Sequence, residues 1–271
     1  MIGRGECASI GGLMNKLRTM CAGLATVLIG QAALAAPELA KSKQGQDGAE
    51  MVLIPAGRFI MGSADGEPDE MPPRVIELPA FYIDKLEVTH AQYAVFLKAS
   101  QRQAPVDWKG GVMPAKLANY PVVNVTFADA AAYAKWAGKR LPSEAEWEKA
   151  ARGTDGRIYV WGNSPEGRKT ATGEAAKQRI QPVGSFPDDR SIYGVMDMTG
   201  NVWEWTADWY KPYPGNDNLE IAYGEKYRVI RGGGAIDYYG VTSTRRCADR
   251  ARSVPYGTYD ALGFRCVMDA K

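Results

Sequence analysis

The stretch "YPVVNVTFADAAAYAKWAGKRLPSEAEWEKAARG", residues 120–153, carries two helix signatures in one short span. Thr126 stands as an N-cap with Asp129 three residues on, and Gly138 is the stop. Ser143 and Glu146 then form a capping box ahead of "WEKAAR", which ends at Gly153. In this second helix Trp147, Ala150 and Ala151 share one face, so that face is expected in a core. Upstream the pattern changes. "MVLIPAGRFIMGS" and "RVIELPAFYIDKLEVT" read as strands, separated by the acidic, turn-rich "ADGEPDEMPP". Thr89 can cap one more helix, "HAQYAVFLKAS". Downstream of Gly153 the chain turns to loops, aromatics and short strands such as "YRVIRGG" and "LGFRCV". Helices early and irregular sheet late make the fold class α+β, a single loop-rich domain.

Composition bounds the function. The 271 residues are 45% hydrophobic, enough for a sizeable core, and the net charge is +2. That balance gives no basic excess for nucleic acid and no acidic tail. The one histidine, His90, excludes a metal centre needing several imidazoles from this chain. At the N-terminus Lys16 and Arg18 precede the apolar run "MCAGLATVLIGQAALA", which closes on Ala33-Leu34-Ala35. This reads as a secretory signal peptide over 1–35, with Met14 as an alternative start. The run is short for a membrane span, so no membrane association is expected after cleavage. Residues 36–50 are polar and read as a flexible linker, and 51–271 as one domain. The expected location is exported, either periplasmic or secreted. Cys247 and Cys266 then remain, and an oxidising compartment leaves two outcomes open: a disulfide between them, or buried thiols.

The ordered series "MVLIPAGRFIMGS", "FYIDKLEVTHAQY", the stretch quoted first, "YVWGN", "GVMDMTGNVWEWTADWY", "RVIRGGG" and "ALGFRCV" resembles the formylglycine-generating enzyme (sulfatase-modifying factor) family over nearly all of 51–267. The resemblance implies a loop-rich α+β domain related to C-type lectins. It also implies a cleft that receives a peptide just after the RGG turn. In family members that make formylglycine, two cysteines in that cleft bind Cu(I). Here those positions are Asp237 and Thr242, and Gly234 replaces the family serine. A carboxylate and a hydroxyl are hard ligands and do not replace two thiolates for Cu(I). Copper is therefore not expected, nor is the copper route from cysteine to formylglycine. Asp237, Tyr238, Tyr239, Thr242 and Arg246 are expected to line the cleft, with Asp237 a candidate base and a tyrosine a candidate proton or electron donor. The resemblance also implies that Cys247 and Cys266 face helix positions near Ala134 and Ala151, where the family's partner cysteines are missing.

"DMTGNVWEW" matches the family's calcium loop. The implied ligands are the side chains of Asp197 and Glu204 and the carbonyls of Gly200 and Val202, hard oxygens that suit calcium. Trp203 and Trp205 read as core, whereas Trp209 beside "YKPYPGN" is expected nearer to a ligand. His90 reads as a surface or capping neighbour. Arg231, Arg245, Arg246, Arg250 and Arg252 divide between the cleft and ion pairs with the domain's acids, and Arg265 reads as structural. The combined expectation is an exported protein that matures an extracytoplasmic peptide or protein substrate without the copper mechanism. The alternatives are a non-catalytic peptide- or partner-binding module and an oxidase of the pyoverdine-maturation type.

Overall fold

A computed structural model describes residues 42–164, 180–234 and 245–270. The early strands are β1 (Ser42–Gln44), β2 (Glu50–Ile54), β3 (Gly57–Met61), β4 (Arg74–Leu78) and β5 (Phe81–Asp84). They precede α1 (His90–Ser100), α2 (Phe127–Trp136) and α3 (Glu144–Arg152). The late strands are β6 (Trp203–Trp209), β7 (Arg228–Arg231), β8 (Ala251–Ser253), β9 (Leu262–Gly263) and β10 (Val267–Asp269). All three helices open on a full capping box: Thr89 with Gln92, Thr126 with Asp129, and Ser143 with Glu146. Each box satisfies N–H groups that helix starts leave unpaired.

The strands form one four-stranded sheet in the order β1-β2-β5-β10, a β3-β4 hairpin, and a second four-stranded sheet in the order β8-β7-β6-β9. Within the second sheet β6 runs parallel to β9 and antiparallel to β7, which pairs with β8. One core packs α1 and α2 through Tyr93, Phe96 and Tyr133 against Trp203, Trp205 and Phe264. A second packs Trp147, Ala150 and Ala151 of α3 against Val52, Phe81 and Ile83. The face expected of α3 is thus in a core, and so are Trp203 and Trp205.

The rest of α3 departs from its amphipathic pattern. Glu144, Glu146, Glu148, Lys149 and Arg152 are buried as well. Each is neutralised or bonded in place. Arg231 reaches Glu148 at 2.6 Å and Glu144 at 3.2 Å, Arg250 reaches Glu144 at 2.7 Å, and Arg152 reaches Glu148 at 2.7 Å. Lys149 donates to the carbonyls of Pro55 and Gly57. Burial opposes ionisation of Glu144, but Arg250 and Arg231 outweigh it and hold its carboxyl below the usual range.

The N-terminal polar segment corrects one expectation. Residues 36–50 are not a flexible linker from Ser42 onward: β1 pairs with β2, and Asp47 lies buried against Lys139. The Lys139 ammonium bridges Asp47 and Asp84 at 2.7 Å each, and the Tyr133 hydroxyl donates to Asp47 at 2.8 Å. A buried lysine needs such acids, so the polar segment is tied down by charge that its composition conceals.

Candidate functional site

Strand β7 delivers the chain to the glycine turn. Gly232 has φ +98°, and a Cβ there would meet the Trp147 ring at 3.2 Å. Gly233 has φ +77°. Both positions demand glycine, one for close approach and both for the backbone. The following candidates Asp237, Tyr238, Tyr239 and Thr242 lie outside the described residues. Arg246 is described: its guanidinium holds the buried Glu70 carboxylate through contacts of 2.6 and 2.7 Å. Burial raises the Glu70 carboxyl, and Arg246 only partly offsets it.

Beside β8 lies a cleft of about 550 Å³. Its lining can be sorted by the sheet register. Val229 faces Arg252, and Ile230 faces Ala251, across β7 and β8. Paired residues share a face and neighbours alternate, so Ala251 and Ser253 point one way and Arg252 the other. The Arg250 and Arg252 guanidiniums both lie over the Tyr210 ring, at 4.9 and 5.1 Å. The cleft touches both sets. Trp203, Ile230, Ala251, Ser253, Tyr259, Ala261 and Leu262 make an apolar half, and Tyr210, Tyr227, Arg250, Arg252, Glu67, Asp69 and Glu220 a charged half. The cavity thus spans one face of the sheet, from β8 across Ile230 and Trp203 to Leu262 of β9, and reaches the other face beside the terminal strand β8.

The charged half is unevenly committed. Arg250 is buried on Glu144 and donates to the carbonyls of Asp69 and Lys211. The Tyr210 hydroxyl donates to Asp69 at 2.6 Å. Arg252 meets Glu220 only at 3.6 Å, with their side chains 39% and 31% exposed. In the apolar half the buried Ser253 hydroxyl has no hydrogen-bond partner. Two of the clustered arginines, Arg250 and Arg252, therefore line the cleft, while Arg231 is buried on Glu144 and Glu148 of α3 and on the carbonyls of Cys247 and Ala248. Tyr210, Tyr227, Glu220 and Ser253 escaped sequence reading. Of these only Ser253 has a local signal, the alternation of "RARS" at 250–253.

The expected calcium loop lies elsewhere, at the start of β6. Glu204 is fully buried and accepts from Nε and Nη2 of Arg265, at 2.7 Å each, while Trp147 donates its indole N–H to it at 2.9 Å. Arg265 is structural, as its sequence context indicated. Asp197, at φ +59°, accepts from the Gly184 amide and leaves its other oxygen without a partner. Glu87 accepts from Asn201 and also keeps one orphaned buried oxygen. Burial raises both the Glu87 and Asp197 carboxyls, and each feels the other. Ionised together, the three buried carboxylates would outnumber the one guanidinium, and the orphaned oxygens are hard donors. Those features fit a calcium ion. Among the described residues, no group of three or more His, Cys, Asp or Glu side chains forms a metal cluster, so main-chain carbonyls would have to complete the set.

His90 is not at the surface. It is buried, and the Trp108 indole N–H donates to its Nδ1 at 2.8 Å, which requires a neutral ring. Burial lowers its pKa accordingly. Cys247 and Cys266 are free and buried in different cores. Cys266 shares a core with Ala134, and Cys247 shares one with Ala151. Burial pushes the Cys247 thiol up to about 12 and also raises Cys266, so both are inert thiols. Trp209 carries the Arg228 guanidinium on its ring at 3.5 Å.

Known proteins resemble this chain in sequence and in fold. The model of the sulfatase-modifying factor enzyme 1-like domain matches residues 36–270. A formylglycine-generating enzyme of Streptomyces coelicolor is 33% identical, over 85% of this chain and 91% of its own. The inactive C-alpha-formylglycine-generating enzyme 2 of Mus musculus is 32% identical, over 81% of this chain and 86% of its own. Among solved structures, PvdO from Pseudomonas aeruginosa superposes with a TM-score of 0.69 at 28% identity, covering 87% of this chain and all of that one.

Proposed function

The chain belongs to the sulfatase-modifying factor enzyme 1-like family, and from that premise we propose that it is an exported protein that holds a peptide segment of an extracytoplasmic partner during the partner's maturation. It does so without the copper–cysteine route to formylglycine. The observation that carries this reading is the cleft along β8, with one apolar-aromatic half and one charged half. Such a surface suits side chains of two kinds from one ligand. Family membership alone does not supply the reaction, since relatives 33% and 32% identical are named a formylglycine-generating enzyme and an inactive one. The absence of thiols at Asp237 and Thr242 argues against Cu(I).

The loop at Asp197, Gly200, Val202 and Glu204 would hold calcium, which supplies positive charge to a buried acidic locus and takes no part in a reaction. Asp197 offers its orphaned oxygen, Glu204 shares its carboxylate between Arg265 and the ion, and the two carbonyls complete the shell. The likeness to PvdO favours a second reading of the same cleft, an oxidase of the pyoverdine-maturation type.

The test uses the purified exported form in air, with and without Cu(I), against a sulfatase-motif peptide and against peptides from its own periplasmic or secreted proteome. Mass spectrometry reads turnover, and fluorescence anisotropy reads binding. No aldehyde is expected with copper, and selective binding of proteome peptides is. A mass change lost in Asp237→Asn would make the protein an enzyme, and binding without a mass change would make it a module. Robust aldehyde formation, or no peptide bound at all, overturns the proposal.

A further inference from the structure

We infer that the partner segment binds as an added β-strand on the open edge of β8, placing an apolar side chain in one half of the cleft and the neighbouring basic side chain in the other. The inference rests on the peptide-binding reading above and specifies how the peptide is held. Strand β8 is, among the described residues, one of the two terminal strands of its sheet, β9 being the other. Among the described residues, none outside β7 hydrogen-bonds to the backbone of Ala251–Ser253. In an antiparallel pair alternate residues turn their N–H and C=O away from the partner strand, so β8 offers ladder groups to a ligand. An edge of this kind is usually blunted by charge, proline or a covering segment. Here it borders a cleft of about 550 Å³ instead.

The two halves of the cleft set the side chains. A strand paired to β8 sends successive residues to opposite faces. One set enters the half walled by Trp203, Ile230 and Leu262, where the Ser253 hydroxyl waits unpaired. The other enters the half with Glu67, Asp69 and Glu220. Those three carboxylates stand against two guanidiniums: Arg250, which sits on the Glu144 it shares with Arg231, and Arg252, which only loosely meets Glu220 at 3.6 Å. The surplus is therefore acidic, and a lysine or arginine complements it. Main-chain bonds supply affinity, and the alternating pockets supply selectivity.

The probe is Thr-Val-Lys-Val-Thr-amide carrying fluorescein on its N-terminus, with three relatives: Lys changed to Glu, both valines N-methylated on the backbone, and the lysine N-methylated on the backbone. N-methylation removes a ladder donor without changing side-chain charge. Because donors alternate along an added strand, one N-methylated peptide should bind at least about tenfold more weakly and the other near the parent. The Glu peptide should weaken similarly, and Glu220→Lys should shift preference toward it. Amide exchange at Ala251–Ser253 should slow only with peptides that bind. Equal binding of both N-methylated peptides, with unchanged exchange at 251–253, overturns the strand addition while leaving peptide binding intact. Strand addition is likewise overturned if these probes fail to bind although proteome peptides do. Failure of every peptide in both experiments removes the peptide-binding reading itself.

Discussion

Asp197 holds a left-handed backbone, one amide bond and one orphaned oxygen, in a locus where Glu87 is likewise incomplete. Two facing carboxylates with spare oxygens need a proton or a cation between them. If the cation is calcium, Asp197→Asn should lower Tm in calcium and change little in chelator, as scanning calorimetry can read. Equal Tm values in both conditions for wild type and variant would rule calcium out of this locus. Glu204→Gln is the poorer probe, because it also breaks the buried pair with Arg265 and should cost about 3–5 kcal/mol regardless of metal. Asp84 makes a separate pH prediction. Burial raises its carboxyl from 3.8 to about 6, against the pull of Lys139. A carboxyl whose folded pKa is raised favours the fold below its unfolded pKa and loses that contribution as pH rises through the folded value. The stability of wild type relative to Asp84→Asn should therefore fall between pH 3.8 and about 6 and level off above. Urea denaturation across that range measures it, and a flat difference contradicts it.

Helix α3 joins a strong local signature to an unusual environment. Its capping box fixes where it starts, and its Trp147, Ala150 and Ala151 face fixes one contact. The polar face is buried only because β7 and the segment before β8 bring Arg231 and Arg250 to Glu144 and Glu148. Such pairs are worth little against an apolar replacement of both sides, yet removing one partner strands the other. Arg231→Met should therefore destabilise the protein by about 3–5 kcal/mol in denaturant unfolding. Ser143→Ala, which removes a cap alone, should cost only about 1 kcal/mol. If the two variants are equally mild, the buried network is not what holds α3.

Over the whole described domain, the N-terminal polar segment closes the first sheet. The Asp47 carboxylate ties it to Lys139 and Tyr133 across a wide gap in sequence. In Asp47→Ala, Lys139 keeps Asp84, so the loss should be about 1–3 kcal/mol, the scale of a buried polar group left short of a partner. Amide exchange at Lys43 and the amides that bond to β2 should speed up more than exchange in α2. Uniform acceleration would instead mark global destabilisation without a tie at Asp47.

Local grammar was enough for what depends on near neighbours. Capping boxes, turn glycines and strand alternation follow from contacts within a few residues, so the helices, most strand segments, the α+β class and the family motifs are legible in the chain. The cores around Trp203, Trp205 and Trp147 follow from side chains too large and apolar to leave in water. Partner identity over long sequence separations was decided only in three dimensions. Nothing near Asp47 announces Lys139, nothing near His90 announces Trp108, and the charged residues of α3 read locally as a solvated face. The cleft beside β8 belongs to the same class. Its halves come from opposite faces of a sheet whose edge exists only once β6, β7, β8 and β9 are assembled. Sequence spacing specifies which residues alternate, but tertiary packing determines which strand stands at the edge of the described sheet and what charge surrounds it.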